Sequence, residues 1–309
     1  MTLSTSTKNR LGYALANRAA ADELAAMLGG FGATGNVFYC DPTSGSDQNS
    51  GETQDSAKAT MNAAIGLCTA ARCDVIVRMR GTETVTEPIL FDVSGVTVIA
   101  EIQGFSPWFN GEYFATLADA AFTDDAVAKV TASGVAISGL GFVSRDTDAT
   151  FYGGAALLLG GAGDATPYGT HIHACRFPKW GLDNRIGIAI EGSTNVTIEK
   201  CDFEGVTSNF NAGIYIQGAT QNLNILGNHF RQCTAAVQTG AFAGGGPHLF
   251  MGHNIVEDGT YVFDSQGNAG TGMIYRNVSP LASGSSFDRS VADMITAGWE
   301  ISGGIYPDS

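Results

Sequence analysis

Residues 195–203 read NVTIEKCDF and residues 222–230 read NLNILGNHF, so Asn195, Ile198 and Phe203 return as Asn222, Ile225 and Phe230. The same apolar pair, five positions apart, recurs as Ile137 and Phe142, Ile172 and Phe177, and Phe250 and Ile255, with 35, 26, 27 and 25 residues between successive starts. After each pair comes a second short apolar stretch that closes on glycine: Ala155 to Gly160, Gly187 to Gly192, Gly213 to Gly218, Ala235 to Gly240, and Tyr261 to Gly267. The stretch Val96 to Phe105 follows the pattern more loosely. A period near 26 residues with two or three short strands per unit belongs to a solenoid in which each unit packs on its neighbours. The leucine framework of leucine-rich repeats is missing, which leaves a parallel β-helix. Its coils stack at about 4.8 Å, so Ile and Phe form interior columns, while Asn195, Asn222 and Gly134 fall at corners that need tight turns or φ > 0.

Composition agrees. The 309 residues hold 41 glycines and only 15% charged residues beside 44% hydrophobic ones. Low charge with high apolar content excludes disorder, and glycine without a three-residue period excludes collagen. The net charge of -14 argues against nucleic acid as a partner, because phosphates must be neutralised by Lys and Arg. No apolar run reaches the ~20 residues that span a bilayer, so no membrane role is expected. The stretch Met1 to Leu11 lacks the apolar core of a secretory signal, and the chain is expected to begin near Met1. Six cysteines are too sparse for a disulfide scaffold and read as reduced, buried side chains, with Cys175 and Cys201 stacked at one coil position.

The flanks differ from the repeats. In residues 1–32, Leu11, Leu15, Ala19, Leu24 and Leu28 keep helical spacing before Gly29 and Gly30, which predicts an N-terminal helical arm. Such an arm either covers the end of the fold or docks on a larger assembly, and its contacts would come from Arg10, Leu11, Tyr13, Leu15, Arg18, Leu24 and Leu28. A strand at Val37 to Cys40 leads into the polar loop Asp41 to Gly51, read as a solvated turn and not a calcium site, since its spacing is not that of an EF-hand. A helix is expected around Ala57 to Ala71 and a strand over Asp74 to Met79. Near the C terminus Phe287, Val291, Met294, Ile295 and Trp299 approach helical spacing and predict a cap over the last coil, within residues 281–309. The predicted fold is all-β: a single-stranded parallel β-helix over residues 33–280, between the arm and the cap.

The strand and loop Phe38-Tyr39-Cys40-Asp41-Pro42, with Gly45-Ser46-Asp47 and Gly51, precede a helix ending near Leu67 and then Cys73-Asp74-Val75-Ile76-Val77 with Gly81. With the repeats, this opening resembles the right-handed β-helix proteins of the pectin-lyase-like superfamily, particularly those of tailed bacteriophages, over residues 36–280. Lys8 to Arg18 is similar to the N-terminal segments of phage virion proteins. The resemblance implies a right-handed solenoid, and it leaves function open, because β-helices serve both as carbohydrate-cleaving enzymes and as inert spikes.

The chemistry therefore has to come from side chains. Aligning the coils on Ile172, Ile198, Ile225 and Phe250 places Arg176, Asp202, His229 and Asn254 in one column, and His173 over Glu199 in another. Asp202 and Glu204 are the weak catalytic candidates for glycoside cleavage, which needs two carboxyl groups with opposite roles. Against that stands a polar ladder in which Arg176 and Asp202 form an exposed ion pair, and this is the favoured reading. His171 and His173 share one strand face, but no third metal ligand is identifiable, and no metal or other cofactor is expected. Trp180 and Tyr215 are candidate stacking residues for a sugar, and Gly244 to Pro247 reads as a turn, not a phosphate loop. These readings favour a non-enzymatic virion protein, a trimeric decoration or spike on the capsid exterior, made in the host cytoplasm. Its partners would be the major capsid protein or other virion proteins and copies of itself. The alternatives are a tailspike or tail-fibre depolymerase acting on host surface polysaccharide, and a non-catalytic glycan-binding module.

Overall fold

A computed structural model describes residues 35–101, 126–143, 155–161, 166–178, 186–205, 212–218, 220–240, 248–257, 261–264 and 271–277, plus the backbone of strands Ala115–Asp119, Val278–Ser279, Met294–Ala297, Glu300–Ile301 and Gly304–Ile305. The expected N-terminal arm, with Arg10, Leu11, Tyr13, Leu15, Arg18, Leu24 and Leu28, lies outside the described residues, as do Trp180 and the turn Gly244 to Pro247.

Among the described residues, seven successive coils each contribute one strand to each of three sheets. The first sheet has ten parallel strands, beginning with Val37–Cys40, Val75–Arg78 and Thr97–Ala100 and running through His171–His173, Thr194–Glu199, Gln221–Leu226 and His248–Gly252 to Met294–Ala297. The second sheet has ten strands, from Gly81–Val85 through Arg176–Phe177, Asp202–Glu204, His229–Arg231 and Ile255–Glu257; the last, Gly304–Ile305, turns back antiparallel to Glu300–Ile301. The third has seven, from Ile89–Phe91 to Tyr261–Asp264. The chain is a parallel β-helix, and the opening strand Val37–Cys40 is already a rung of the first sheet.

Alternation along each strand sends one column inward. In the first sheet it is Phe38, Ile76, Val98, Ile137, Ile172, Ile198, Ile225, Met251 and Ile274, all buried. Val98 shows that the stretch from Val96, loose as a repeat, is in register as a strand. In the second sheet Phe142, Phe177, Phe203 and Phe230 stack with ring centroids 5.5, 4.7 and 4.7 Å apart and planes within 12°. Glycine makes room for this stack: a Cβ on Gly187 or Gly213 would lie 2.6 or 2.5 Å from the ring of Phe203 or Phe230.

The corners follow the sequence reading. Asn195 (φ 55°), Asn222 (φ 53°) and Gly134 (φ 70°) adopt the left-handed conformation. A second left-handed column was not foreseen. Gly139, Ala174, Lys200, Gly227, His253 and Arg276, with φ between 47° and 76°, turn the chain from the first sheet into the second.

Three expectations need correction. Phe250 and Ile255 are not interior: Met251 pairs with Ile225 and Val256 with Phe230, so Phe250 and Ile255 face outward, 37% and 42% exposed. The helix over Ala57 to Ala71 shrinks to Met61–Ile65, preceded by a separate 3-10 turn at Gln54–Ser56, and its Met61, Ala64 and Ile65 are buried at the start of the solenoid. Thr60 caps its first turn and Gly66 ends it. The helical cap near the C terminus gives way to strands: Met294–Ala297 pairs in parallel with Thr271–Tyr275, Met273 against Ile295, because the open edge of the preceding coil offers unpaired backbone groups.

Candidate functional site

The charged column lies on the outer face of the second sheet. Phe203 points inward, so Asp202 and Glu204 point out. Register puts Arg176, Asp202 and His229 on successive coils, followed by Ile255 and not Asn254. It also puts Glu204, Arg231 and Glu257 in the next outward column. Arg231 Nη2 lies 3.1 Å from Asp202 Oδ2 and 3.7 Å from Glu204 Oε2. Arg176 reaches the same two carboxylates, 3.5 Å from each. His229 bridges Asp202 at 3.4 Å and Glu257 at 3.1 Å.

The exposed ion pair expected for Arg176 and Asp202 is therefore wrong in burial. The Asp202 side chain is 2% exposed, because side chains from the coils above and below close over it at the stacking distance. Burial alone would lower the His229 pKa, but Asp202 and Glu257 outweigh it, and the net shift is upward. Both carboxylates proposed for glycoside cleavage are committed to the same two guanidinium groups. Cleavage requires two carboxyl groups in opposite roles with room for substrate between them, an arrangement this network does not provide.

The first sheet carries a second polar cluster. His171 and His173 point outward from one strand, and His173 pairs in register with Glu199 on the next coil, as aligned from sequence. The glutamate reaches diagonally: His171 Nε2 lies 3.0 Å from Glu199 Oε1. His173 Nδ1 lies 3.0 Å from the Ser138 hydroxyl of the coil before. Burial lowers the pKa of both histidines, with Glu199 opposing the shift. The third side chain that sequence reasoning failed to attach to this pair is Glu199, and its signal was its place opposite His173.

In the Asp41 to Gly51 loop the carboxylates serve the backbone. Asp41 accepts from the amides of Thr43 and Ser44, and Asp47 Oδ1 from those of Ala59 and Thr60 at 3.0 and 2.9 Å. The thiols are all unpaired with one another as disulfides; Cys40, Cys175, Cys201 and Cys233 are buried, whereas Cys68 and Cys73 are half-buried. Burial pushes the Cys40 and Cys233 thiols up to about 12, so neither is a nucleophile. Tyr215 is half-buried on the outer face of the third sheet with its ring against Gly240, and burial raises its phenol pKa. Among the described residues no helix is long and apolar enough to cross a membrane.

What sequence reasoning missed is an asparagine ladder. Asn228, Asn254 and Asn277 stand just before successive strands of the second sheet, buried and pointing inward. Asn254 Oδ1 accepts from the Asn228 amide nitrogens at 2.8 and 3.0 Å, and Asn277 Oδ1 accepts likewise from Asn254 at 3.0 and 2.8 Å. Each side-chain Nδ2 also donates to an interior carbonyl, of Ile198, Ile225 or Met251. The recurrence at 26 and 23 residues was visible in the sequence.

Among solved structures, the chain is similar to a pectin methylesterase from Aspergillus niger (13% identity, TM-score 0.45, covering 85% of this chain and 90% of that one). It is also similar to the pectin methylesterase PemA from Erwinia chrysanthemi (8%, 0.43, 84% and 92%) and to a rhamnogalacturonan lyase (15%, 0.41, 79% and 74%). At these identities and scores the likeness assigns no role to any residue here. The comparison with curated proteins finds no match. A family model for the right handed beta helix region matches residues 120–287, more than half of the sequence and the part that holds both polar clusters and the asparagine ladder. The chain thus belongs to the right-handed β-helix family.

Proposed function

We propose that this chain is a non-enzymatic structural protein of a tailed-bacteriophage particle, a trimeric β-helical decoration or spike on the virion surface. It attaches to capsid or other virion proteins through residues 1–32. The observation that carries the non-enzymatic part is the charge network. The acidic pair that sequence offered for cleavage, Asp202 and Glu204, is cross-linked by Arg176 and Arg231 over neighbouring coils, which is the work of a scaffold. The virion setting is supported by the resemblance of residues 36–280 and of Lys8 to Arg18 to phage proteins. Stacked coils with a continuous core make a stiff projection, and a net charge of -14 disfavours clumping of particles.

Removing residues 1–32 tests the attachment: the truncated protein is expected to remain folded and β-rich by circular dichroism and to fail to bind purified particles, and retained decoration refutes docking through this segment. Incubating the full chain with host capsule or lipopolysaccharide tests the rest. Unchanged polysaccharide is expected, and released oligosaccharide that disappears with Asp202→Asn establishes the depolymerase instead. Binding without cleavage selects a glycan-binding module.

A further inference from the structure

We propose that His171, His173 and Glu199 form a site for a divalent transition-metal ion, of which Zn²⁺ and Co²⁺ are representative, that ties two successive coils together on the outer face of the first sheet. Two histidines at i and i+2 of a strand project from the same face, and a carboxylate on the adjacent strand supplies a third ligand. The donor set, two imidazoles and a carboxylate with a fourth position left to water, suits zinc or cobalt better than the hard cations calcium and magnesium, which prefer all-oxygen shells.

Part of the geometry is in place. A tetrahedral zinc with bonds of about 2.05 Å sets N···O edges near ~3.3 Å and imidazole centroids about 5.2 Å apart. His171 Nε2 and Glu199 Oε1 are 3.0 Å apart, and the two ring centroids are 6.0 Å apart in an edge-to-face arrangement. Among the described residues no three such side chains already converge on one point, and the rings here must close by about 1 Å, a side-chain rotation, to hold an ion. Ser138 holds the His173 Nδ1 position, which leaves Nε2 as the ligating nitrogen, the outer partner that ligand histidines ordinarily have. In the free protein His171 shares its Nε2 proton with Glu199; on binding, that proton moves to Nδ1 and the Nε2 lone pair takes the ion. Lys200 opposes a cation there. The side chains of His171 and Glu199 are 21% and 27% exposed, so an ion reaches them from solvent.

The test is a titration of the full chain, stripped with chelator, by Co²⁺ followed by Zn²⁺. One Co²⁺ per chain is expected, with the visible absorption of a tetrahedral site, displaced by Zn²⁺. His173→Ala and the nearly isosteric Glu199→Gln are each expected to weaken binding at least tenfold. Ser138→Ala weakens it about tenfold through loss of ring orientation, while His229→Gln, on another sheet, leaves it unchanged. Circular dichroism confirms that each variant is folded, and His173→Gln replaces His173→Ala if the latter is not. The proposal is overturned if no tetrahedral cobalt spectrum develops, if Glu199→Gln binds as well as the parent, or if His229→Gln removes the signal.

Discussion

Two polar columns run side by side through the turn between the first and second sheets and point in opposite directions. One residue before each strand of the second sheet the column faces inward and is neutral: Cys175, Cys201, Asn228, Asn254 and Asn277. One residue later it faces outward and is largely charged: Arg176, Asp202 and His229, then Ile255. Both columns bury polar atoms, and they satisfy them differently. Each amide of the inner column repeats one bonding pattern every coil, with donors and acceptors matched by the 4.8 Å spacing of about one strand. The outer column has no such repeat and relies on long side chains from neighbouring coils to neutralise one buried carboxylate. Along these coils the interior column is uncharged and periodic, whereas the rim carries charges whose signs alternate along the axis; the first coil differs, with Arg78 and Glu83 buried and 3.6 Å apart.

The inner column is expected to be the more costly to break. Asn254→Leu strands the Asn228 backbone amide and the Ile225 carbonyl, while Asn277 Oδ1 keeps the backbone amide of residue 254. At roughly 1–3 kcal/mol for each of the two buried unsatisfied groups, offset in part by the added apolar contact, a loss of about 3 kcal/mol or more is expected. Urea unfolding measures it, and a loss under about 1 kcal/mol contradicts the ladder's role. In the outer column Asp202→Asn removes the one carboxylate shared by Arg176, Arg231 and His229 and leaves them only the more exposed Glu204 and Glu257. Breaking a buried pair on one side is expected to cost about 3 kcal/mol by the same assay, and Asp202→Asn combined with Arg231→Met to recover part of it.

A smaller effect separates the columns by pH. Only the outer one titrates near neutrality, through His229, whose folded pKa is raised by Asp202 and Glu257 against the opposing pull of burial. A raised folded pKa means that its contribution is fully present below the unfolded value of about 6.5 and is lost as pH rises through the folded value. Melting temperature measured on either side of that window is expected to carry a component that falls with rising pH and is absent from His229→Gln. An unchanged slope in that variant shows that the imidazole is not linked to folding.

The contrast between the columns also explains what was legible in the sequence. The fold came from Ile172, Ile198, Ile225 and their phenylalanine partners, because apolar columns must recur at the coil period. The last repeat counted in the sequence misled, since Leu249, Phe250 and Met251 are three apolar residues in a row and alternation cannot say which one points inward. Asn254 settles it: counting from Asn228 gives 26 residues and lands on Met251, whereas counting apolar residues landed on Phe250. Burial of Asp202 was hidden because it arises from Arg231 and His229, one coil away and unmarked by any local pattern. The Ala57 to Ala71 helix was overestimated because alanine content says nothing of how much surface the end of the solenoid leaves to cover, and Met61–Ile65 suffices.

The two cysteines at the head of the inner column allow the finest test. Cys201 Sγ lies 3.7 Å from the Ile172 carbonyl, and Cys175 Sγ lies 3.6 Å from that of Ile137, the same interior carbonyls that asparagine Nδ2 would engage one and two coils earlier. The thiols therefore continue the ladder with a weaker donor, and Asn228 Oδ1 already accepts from the Cys201 amide at 2.9 Å. Cys201→Asn extends the stronger pattern by one coil: its Nδ2 meets both the Ile172 carbonyl and Asn228 Oδ1, and its own oxygen faces the Cys175 amide. Asparagine is close to cysteine in volume, so little repacking opposes the change, and a gain of about 1 kcal/mol in urea unfolding is expected. A loss of that size instead means that the interior narrows at Cys201 and that the column takes cysteine there for room, not for its hydrogen bond.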